Sequence, residues 1–286
     1  MASAAHVSSV SRRAPRSAYG AVASVAYLIV MLAVSYLVPR LIPYAPDEQN
    51  LADLLRPPVP LDGSTWGHPL GTDNLGRDVL ARLAEGARVS LTVSLTAVAI
   101  AAVLGAGLGM LAGFYGRWLD FCVQALTEVQ VSFPGLLLAI LFIALVGASV
   151  GTLIVILALL GWMVFARAAR AAVLSQRGQE YVQSAFAVGA GSARVLFRHI
   201  APTILPGLAV IAALETAQNM LAESALSFLG LGIQPPGVSW GLMMAEGREY
   251  MTSAWWLVVL PGLAIISAVM SVMVLAETSR KAIQDR

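Results

Sequence analysis

Cysteine and lysine are almost absent from the chain, and each absence excludes a class of site. Cys122 is the only cysteine, so neither an internal disulfide nor a cysteine-based metal cluster can form. Lys281 is the only lysine and follows an arginine, which excludes the GK[ST] loop that binds ATP phosphates. If ATP drives this protein, another chain hydrolyses it.

Charged residues are also scarce, and long apolar runs take their place. Only 12% of the residues are charged, 58% are hydrophobic, and the mean hydropathy is +0.78, which is unlike a soluble domain. Crossing the hydrocarbon core of a bilayer takes about 20 mostly apolar residues. The sequence therefore predicts an all-α polytopic membrane protein with about six transmembrane helices, at residues 19–41, 90–114, 131–147, 149–169, 203–229 and 254–277.

The first apolar run, residues 19–41, follows a cluster of arginines, as the apolar part of a secretory signal does. The run is longer than the apolar part of a signal peptide, and it ends at Pro39 and Arg40 without a small-residue cleavage site. We therefore expect a retained first transmembrane helix that follows an N-terminal tail of residues 1–18.

Basic residues are distributed unequally between the two sides that the six runs define. Twelve of the 18 lie on the side that holds both chain ends, and six lie on the other side. Positive charge accumulates in cytoplasmic loops. We therefore expect a cytoplasmic N-terminal tail, a core domain at 90–277 with a cytoplasmic loop at 170–202, a cytoplasmic tail at 278–286, and external loops at 42–89 and 233–253.

The segment 180–202 is a polar interlude, rich in small residues, between two long apolar runs. Gly189 and Gly191 each disfavour a helix by about 1 kcal/mol relative to alanine, so we expect two short helices joined by a bend. Small side chains allow a partner backbone to approach closely. Arg194, Arg198 and His199 flank the bend, where they can meet acidic groups of a partner or anionic lipid head groups. The alternative is a flexible cytoplasmic loop.

The spacing of Ala185, Gly189 and Pro202 resembles the EAA-type cytoplasmic loop of binding-protein-dependent ABC importer permeases. The pattern departs from that family at Gln183 and Ser184, which stand where the family has an acidic residue and an alanine. Three longer segments resemble the C-type permease subunits of dipeptide and oligopeptide importers. These segments are residues 68–91, 161–206 and 221–250. Together with the apolar runs between them, the resemblance covers roughly residues 65–280.

The resemblance implies a function and a set of partners. It implies a permease subunit in the bacterial cytoplasmic (inner) membrane that forms half of the translocation path for di- or oligopeptides. It also implies a homologous permease subunit as heterodimer partner, two cytoplasmic ATP-binding domains and an external substrate-binding protein, with membrane lipid around the helices and no nucleic acid. The resemblance further implies no enzymatic activity and no cofactor in this chain, because ATP is bound by the partner subunits. Nickel complexes and glutathione remain alternative substrates. The implied ATPase-coupling residues are Ala185, Gly189, Arg194, Arg198, His199 and Pro202.

The external loop 42–89 is rich in proline and acidic residues. Its six prolines exclude a long helix in the first part of the loop. Read without the resemblance, its second half is a solvated turn shaped by glycine and proline that leads into an amphipathic helix at 78–88.

Two carboxylates, Glu215 and Glu223, interrupt the apolar run 203–229. A charge at the centre of a bilayer costs at least about 2.5 kcal/mol, so neither side chain is expected to face lipid. Glu215, Asn219 and Glu223 recur at intervals of four and form one polar stripe on the helix, whereas Leu226 is expected to face lipid. The stripe either lines the translocation path or fixes helix packing through hydrogen bonds, and the sequence favours neither.

Two other classes of function remain open on the sequence alone. A secondary transporter would use Glu215 and Glu223 to bind protons or ions, and a membrane scaffold would transport nothing.

The glycines of the second apolar run favour close helix packing over dinucleotide binding. The three histidines are assigned to both sides of the membrane, so we expect no metal site. The four glycines in question are Gly105, Gly107, Gly109 and Gly113.

The orientation can be tested with single cysteines in a Cys122→Ser background. Because the basic residues accumulate on the side of the 170–202 loop, we expect a membrane-impermeant thiol reagent on intact cells to label Asp62→Cys and to leave Ala190→Cys unlabelled. Labelling of both in permeabilised cells is the control. Labelling of position 190 together with protection of position 62 would reverse the orientation.

Overall fold

The structure is a computed structural model that describes residues 15–41 and 44–284, and these residues form helices joined by loops. A π-helical stretch, Val195–Ile200, lies between two of the helices, and short 3₁₀ turns occupy Leu51–Asp53 and Arg248–Tyr250. The predicted all-α class is confirmed. The α-helices are α1 (Pro15–Leu41), α2 (Val79–Tyr115), α3 (Arg117–Val131), α4 (Gly135–Val146), α5 (Val150–Arg177), α6 (Glu180–Ala187), α7 (Ser192–Arg194), α8 (Ala201–Phe228), α9 (Trp240–Gly247) and α10 (Trp256–Gln284).

The described residues contain four helical segments that are each long and apolar enough to cross a membrane: α2, α5, α10 and the continuous segment from α7 to α8. Helices α3 and α4 meet the same criterion only as a pair, bent by 88°. Helix α1 is 27 residues long and has an apolar stretch at Val22–Val38. With the bent pair and α1 included, the prediction of about six membrane helices is confirmed.

The predicted third span, 131–147, is wrong as a single straight helix. Helix α3 ends at Val131, and α4 begins at Gly135 after Pro134, which has no backbone N–H to donate. The 12 residues of α4 extend only about 18 Å, whereas the hydrocarbon core is about 30 Å thick. The hydropathy of residues 131–147 is that of a membrane-spanning helix, but Pro134 separates α3 from α4 within this run.

Helices α2 and α5 form the closest helix pair in the bundle, and glycines make this approach possible. Gly105, Gly109 and Gly113 lie one turn apart on α2, and a β-carbon added to any of them would overlap α5 backbone. The overlapped backbone belongs to Trp162, Ala166 and Arg170, which are also one turn apart. Between helices in a membrane, packing of this kind replaces the hydrophobic effect as the driving force. The prediction of close packing is confirmed for these three glycines.

The glycine contacts also fix the relative direction of α2 and α5. Residue numbers rise together along both helices, from the Gly105–Trp162 contact to the Gly113–Arg170 contact, so the two helices run parallel. The chain between them must therefore return to its starting side. Helices α3 and α4 together make this return crossing despite their bend.

The other long helices pack around this pair. Helix α8 lies against α10, α2 and α5, and α1 lies against α2 and α10. A buried apolar cluster joins α2, α8, α9 and α10 and includes Ala217, Met220, Trp240 and Ile265. Helix α1 adds one polar link, in which the hydroxyl of Tyr27 donates to Ser267 Oγ over 2.5 Å.

Residues 44–78 fold into a compact cap on the end of the bundle that holds the beginning of α2. The indole N–H groups of Trp256 and Trp240 donate to Thr72 O at 3.2 Å and Leu83 O at 3.0 Å, which connects the loop, α2, α9 and α10. The prediction of a solvated turn is therefore wrong. The helix that was expected at 78–88 is the first part of α2, and the Asp78 carboxylate caps it by accepting the N–H of Ala81 at 2.7 Å.

A buried ionic cluster holds this cap to α9. Arg77 and Arg82 both donate to Glu246 Oε2, at 3.0 and 2.6 Å, and Arg77 Nε also donates to Asp73 at 2.6 Å. Both arginines and Asp73 are buried. Two cations and two carboxylates balance one another, which offsets the cost of removing each charge from water.

The glycine contacts predict opposite effects for two neighbouring alanine substitutions. In Gly109→Ala the new methyl group overlaps the Ala166 carbonyl, so α2 and α5 must separate, at a cost of about 1–3 kcal/mol. Outside the local backbone of α2, no described atom lies within 4 Å of a β-carbon added to Gly107, so Gly107→Ala should stabilise the helix by about 0.5–1 kcal/mol. Thermal unfolding of the purified protein measures both changes. A midpoint for Gly109→Ala at or above that for Gly107→Ala would contradict the packing described.

Candidate functional site

Helix α6 is attached to the rest of the chain by one apolar face. Val182 and Ala185 on that face are buried, and they pack in a cluster with Val173 of α5 and with Val195 and Leu196 of the π-helical stretch. The predicted coupling residue Ala185 is therefore an anchor of α6. Its small side chain allows α6 to lie close to the chain that follows.

The bend after α6 is a glycine-dependent helix end. Gly189 has φ +84, its N–H donates to Phe186 O at 2.9 Å, and the N–H of Ala190 donates to Ala185 O at 3.0 Å. This pair of bonds is a Schellman motif, which favours glycine in the left-handed position. No atom of the described chain lies within 4 Å of a β-carbon added to Gly189. The predicted bend between two helices is confirmed, but only α6 is short, because the helix after the bend runs continuously from α7 into α8. The glycine is required by its φ angle and not by crowding within the chain.

The opposite face of the segment is open. Val188 at the bend is 85% exposed, and the aromatic rings of Tyr181 and Phe197 are also exposed. Arg194 and Arg198 are exposed, and neither forms an ion pair with any residue of the described part of the chain. An exposed apolar residue flanked by two arginines without ion pairs forms a surface suited to an acidic partner.

His199 and Pro202 mark the passage from this segment into α8. His199 is half-buried in the π-helical stretch, and its Nδ1 lies 3.4 Å from Arg194 O. Pro202 lies directly after the π-helical stretch and has no N–H to donate to the turn before it. A π-helical stretch within a helix is frequently found at a functional position.

An aromatic contact connects α6 to α2. The ring of Phe186 on α6 stacks on Phe114 at the end of α2, with ring centroids 6.4 Å apart. The Arg177 guanidinium at the end of α5 lies 5.9 Å from the centroid of the Phe114 ring. Displacement of α6 would therefore act on α2 and α5 as well as on α8. Phe114 was not predicted from the sequence as a residue of this site.

The three residues of the predicted polar stripe lie in three different environments, and Glu223 is the most deeply buried. Its side chain is 0% exposed, and its two oxygens accept hydrogen bonds from Ser90 of α2 at 3.0 Å and from Ser227 at 2.7 Å. Ser239, which caps α9, is buried nearby. For Glu223 the structure favours helix packing over a place in the translocation path.

Asn219 lies one turn before Glu223 and is buried, and its Nδ2 group has no hydrogen-bond partner in the described part of the chain. Ser94, one turn beyond Ser90 on α2, likewise has an unpaired hydroxyl. Leu226 is 1% exposed and packs in the core, so the expectation that it faces lipid is wrong.

Glu215 is the accessible member of the stripe. It lies midway along α8 and is partly exposed, and its Oε2 atom lies 3.6 Å from the position of a β-carbon added to Gly161 of α5. The same glycine meets Ala101 of α2, so the carboxylate lies at a junction of three helices. No described residue forms a hydrogen bond or an ion pair with it.

A second polar region lies between α3 and α5. Arg170 forms a two-pronged ion pair with Asp120, and Arg167 donates to Thr127 O at 3.2 Å. Nearer the bend between α3 and α4, the indole N–H of Trp162 donates to Gln130 Oε1 at 2.7 Å. Sequence reasoning did not identify these contacts, although the polar residues recur on one face of an otherwise apolar helix, which is a recognisable signal. A cleft of ≈ 250 Å³ opens here, lined by Gln124, Thr127, Glu128, Arg167 and Arg170.

The Glu223 contacts predict a loss of stability in Glu223→Leu. The substitution leaves the buried hydroxyls of Ser90 and Ser227 without an acceptor, at a cost of about 1–3 kcal/mol for each group. We expect a lower yield of the membrane protein and a lower unfolding midpoint, and a smaller loss in Glu223→Gln, which keeps one acceptor. Leu221→Ala, at an exposed position of the same helix, is the control. A Glu223→Leu protein with the same yield and midpoint as Leu221→Ala would contradict this role.

Comparison with known proteins identifies the family of the chain. Residues 105–286 match the family described as binding-protein-dependent transport system inner membrane component. The di/tripeptide transport system permease protein DppC of Pseudomonas aeruginosa is 36% identical, over 93% of this chain and 88% of that protein. The dipeptide transport system permease protein DppC of Escherichia coli K12 is 36% identical, over 93% and 89% of the two chains.

A relative named for a different substrate is nearly as similar to this chain as the two peptide permeases are. The glutathione transport system permease protein GsiD of Pectobacterium atrosepticum is 34% identical, over 93% of this chain and 87% of that protein. The family model covers the segment 180–202 described above, and the relatives cover 93% of the chain. The chain therefore belongs to the family of binding-protein-dependent transport system inner membrane components.

Proposed function

We propose that this chain is the membrane-spanning permease subunit of an ATP-driven importer of di- or oligopeptides. It forms half of the translocation path, and a homologous permease subunit forms the other half as its heterodimer partner. Two cytoplasmic ATP-binding domains hydrolyse ATP, and an external substrate-binding protein delivers the peptide. The chain itself has no enzymatic activity. Both termini are cytoplasmic, in the orientation that the basic residues predict.

One observation carries the proposal most strongly, which is the geometry of the segment 180–202. An anchored short helix ends at a glycine-dependent bend and presents Val188, Arg194 and Arg198 outward. This arrangement supports docking of a partner with a complementary apolar pocket and acidic groups. Family membership supports an ATPase as that partner and disfavours the secondary-transporter alternative. The names of the two peptide permeases support peptides as the substrate class.

The proposed coupling acts through rigid contacts. Closure of the ATPases on ATP moves α6, and α6 transmits the displacement through Ala185 to the start of α8 and through Phe186 to Phe114 on α2. Because α2 and α5 are packed backbone to backbone, they respond as one body. The bundle then alternates between outward and inward access, while the peptide bonds of the substrate stay intact.

Substitution of Gly189 by arginine tests the coupling site. The φ of +84 disfavours any side chain by about 1–2 kcal/mol, and an arginine also projects into the open space where the ATPase would dock. We expect Gly189→Arg to insert normally and to retain little ATPase on purified membranes, with peptide uptake abolished.

Gly191→Ala is the matched control. Gly191 is two residues away and equally open, but its φ of −69 suits any residue, so this variant should retain the ATPase and most of its uptake. Wild-type uptake together with full ATPase retention in Gly189→Arg would show that the segment is not the docking site.

A further inference from the structure

Glu215 is a carboxylate at the middle of the membrane domain, and no described residue supplies a counter-charge to it. The helices that pack against α8 are α2, α5, α9 and α10. None of them carries a basic residue at the level of Glu215, because α2 has none after Arg88, α5 has none before Arg167, and α10 has none before Arg280. An ionised group in such a place is costly unless it is paired. A cation from outside the chain would therefore bind there with little competition.

The Glu215 carboxylate lies against the backbone of α5 at Gly161 and is still partly exposed. Gly161 on the facing helix has no side chain, and the Glu215 Oε2 atom lies 3.6 Å from where its β-carbon would be. The carboxylate is partly exposed, in contrast to Glu223, whose oxygens are occupied by serine hydroxyls. Two carboxylates on one helix therefore have different roles, because one is satisfied within the fold and the other is left open.

A second unsatisfied group lies one turn away. Asn219 is 6% exposed, and its Nδ2 group has no hydrogen-bond partner among the described residues. Side chains four residues apart on a helix are neighbours on one face, about 5–6 Å apart at their β-carbons. The pair thus presents an anionic acceptor beside a neutral donor. The amino-terminal end of a peptide has the complementary pattern, with an ammonium group next to a carbonyl oxygen.

We propose that Glu215 and Asn219 form a binding subsite for the amino terminus of the peptide during its passage. The carboxylate of Glu215 accepts hydrogen bonds from the ammonium group, and Nδ2 of Asn219 donates to the first carbonyl oxygen. The assignment rests on the proposed peptide import. A fixed cation on the partner permease would compete for the same carboxylate, and co-purification of the partner with the variants distinguishes the two occupants.

Saturation-transfer NMR tests the subsite on the purified complex of this chain, its partner permease and the ATPases, without the substrate-binding protein. The probes are dialanine and N-acetyl-dialanine, which differ in the charge of the amino terminus. We expect a dialanine signal in the wild type that Glu215→Gln lowers about tenfold, as loss of a charged hydrogen bond does. Glu215→Asp should keep part of the signal, and the N-acetyl compound should bind weakly to all forms.

Glu277→Gln is the matched control, because Glu277 is an exposed carboxylate of α10 whose ion pairs among the described residues are with Arg280 and Lys281. It should bind dialanine as the wild type does. An unchanged dialanine signal in Glu215→Gln, or no dialanine signal in the wild type, would overturn the subsite. Loss of the partner permease from both Glu215→Gln and Asn219→Ala during purification would also overturn it, since the counter-charge would then belong to the partner.

Failure of the subsite and failure of the proposed function give different results. If the wild-type complex, reconstituted with its binding protein, shows no ATP-driven uptake of dialanine or of longer peptides, the proposed function fails. If uptake is normal in the wild type and in Glu215→Gln, only the subsite fails.

Discussion

The backbone contact between α2 and α5 is the constraint on which the rest of the structure depends. Three glycines at intervals of four allow the two helices to lie closer than any side chain would permit. Because the contact also sets the two helices parallel, the α3–α4 pair must cross between them, and the end of α5 comes to lie beside Phe114 of α2. A displacement of α6 can therefore act on both helices at once.

Polar groups inside the bundle are of two kinds: some form hydrogen bonds or ion pairs within the chain, and others do not. Where polar groups hold helices together, they are paired, as Glu223 is with two serines and as Arg170 is with Asp120. Glu215 and Asn219 are not paired within the described chain. Since an unsatisfied polar group in a low-dielectric interior is costly, its presence in a membrane transporter points to a ligand. The same contrast holds at the surface of α6, where Ala185 is anchored and Val188 is open.

Much of this architecture could be predicted from the sequence, because hydropathy and glycine spacing are local signals. The apolar runs, the close packing of α2 and the bend at Gly189 all follow from such signals. The break before α4 was missed because a 17-residue apolar run hides one proline, Pro134. The burial of Arg77, Arg82 and Asp73 was missed for a different reason: ion pairs with Glu246 join residues far apart in the sequence, and composition suggests solvent.

The central claim is that the energy for transport enters through a cytoplasmic ATPase docked on α6. Peptide uptake into proteoliposomes that hold the complete complex, with an ionophore present to collapse ion and proton gradients, tests this claim most directly. The account predicts undiminished uptake with ATP, none without it, and none when this chain is omitted. Uptake that stops with the ionophore and continues without ATP would contradict the account and would assign Glu215 to ion-coupled transport.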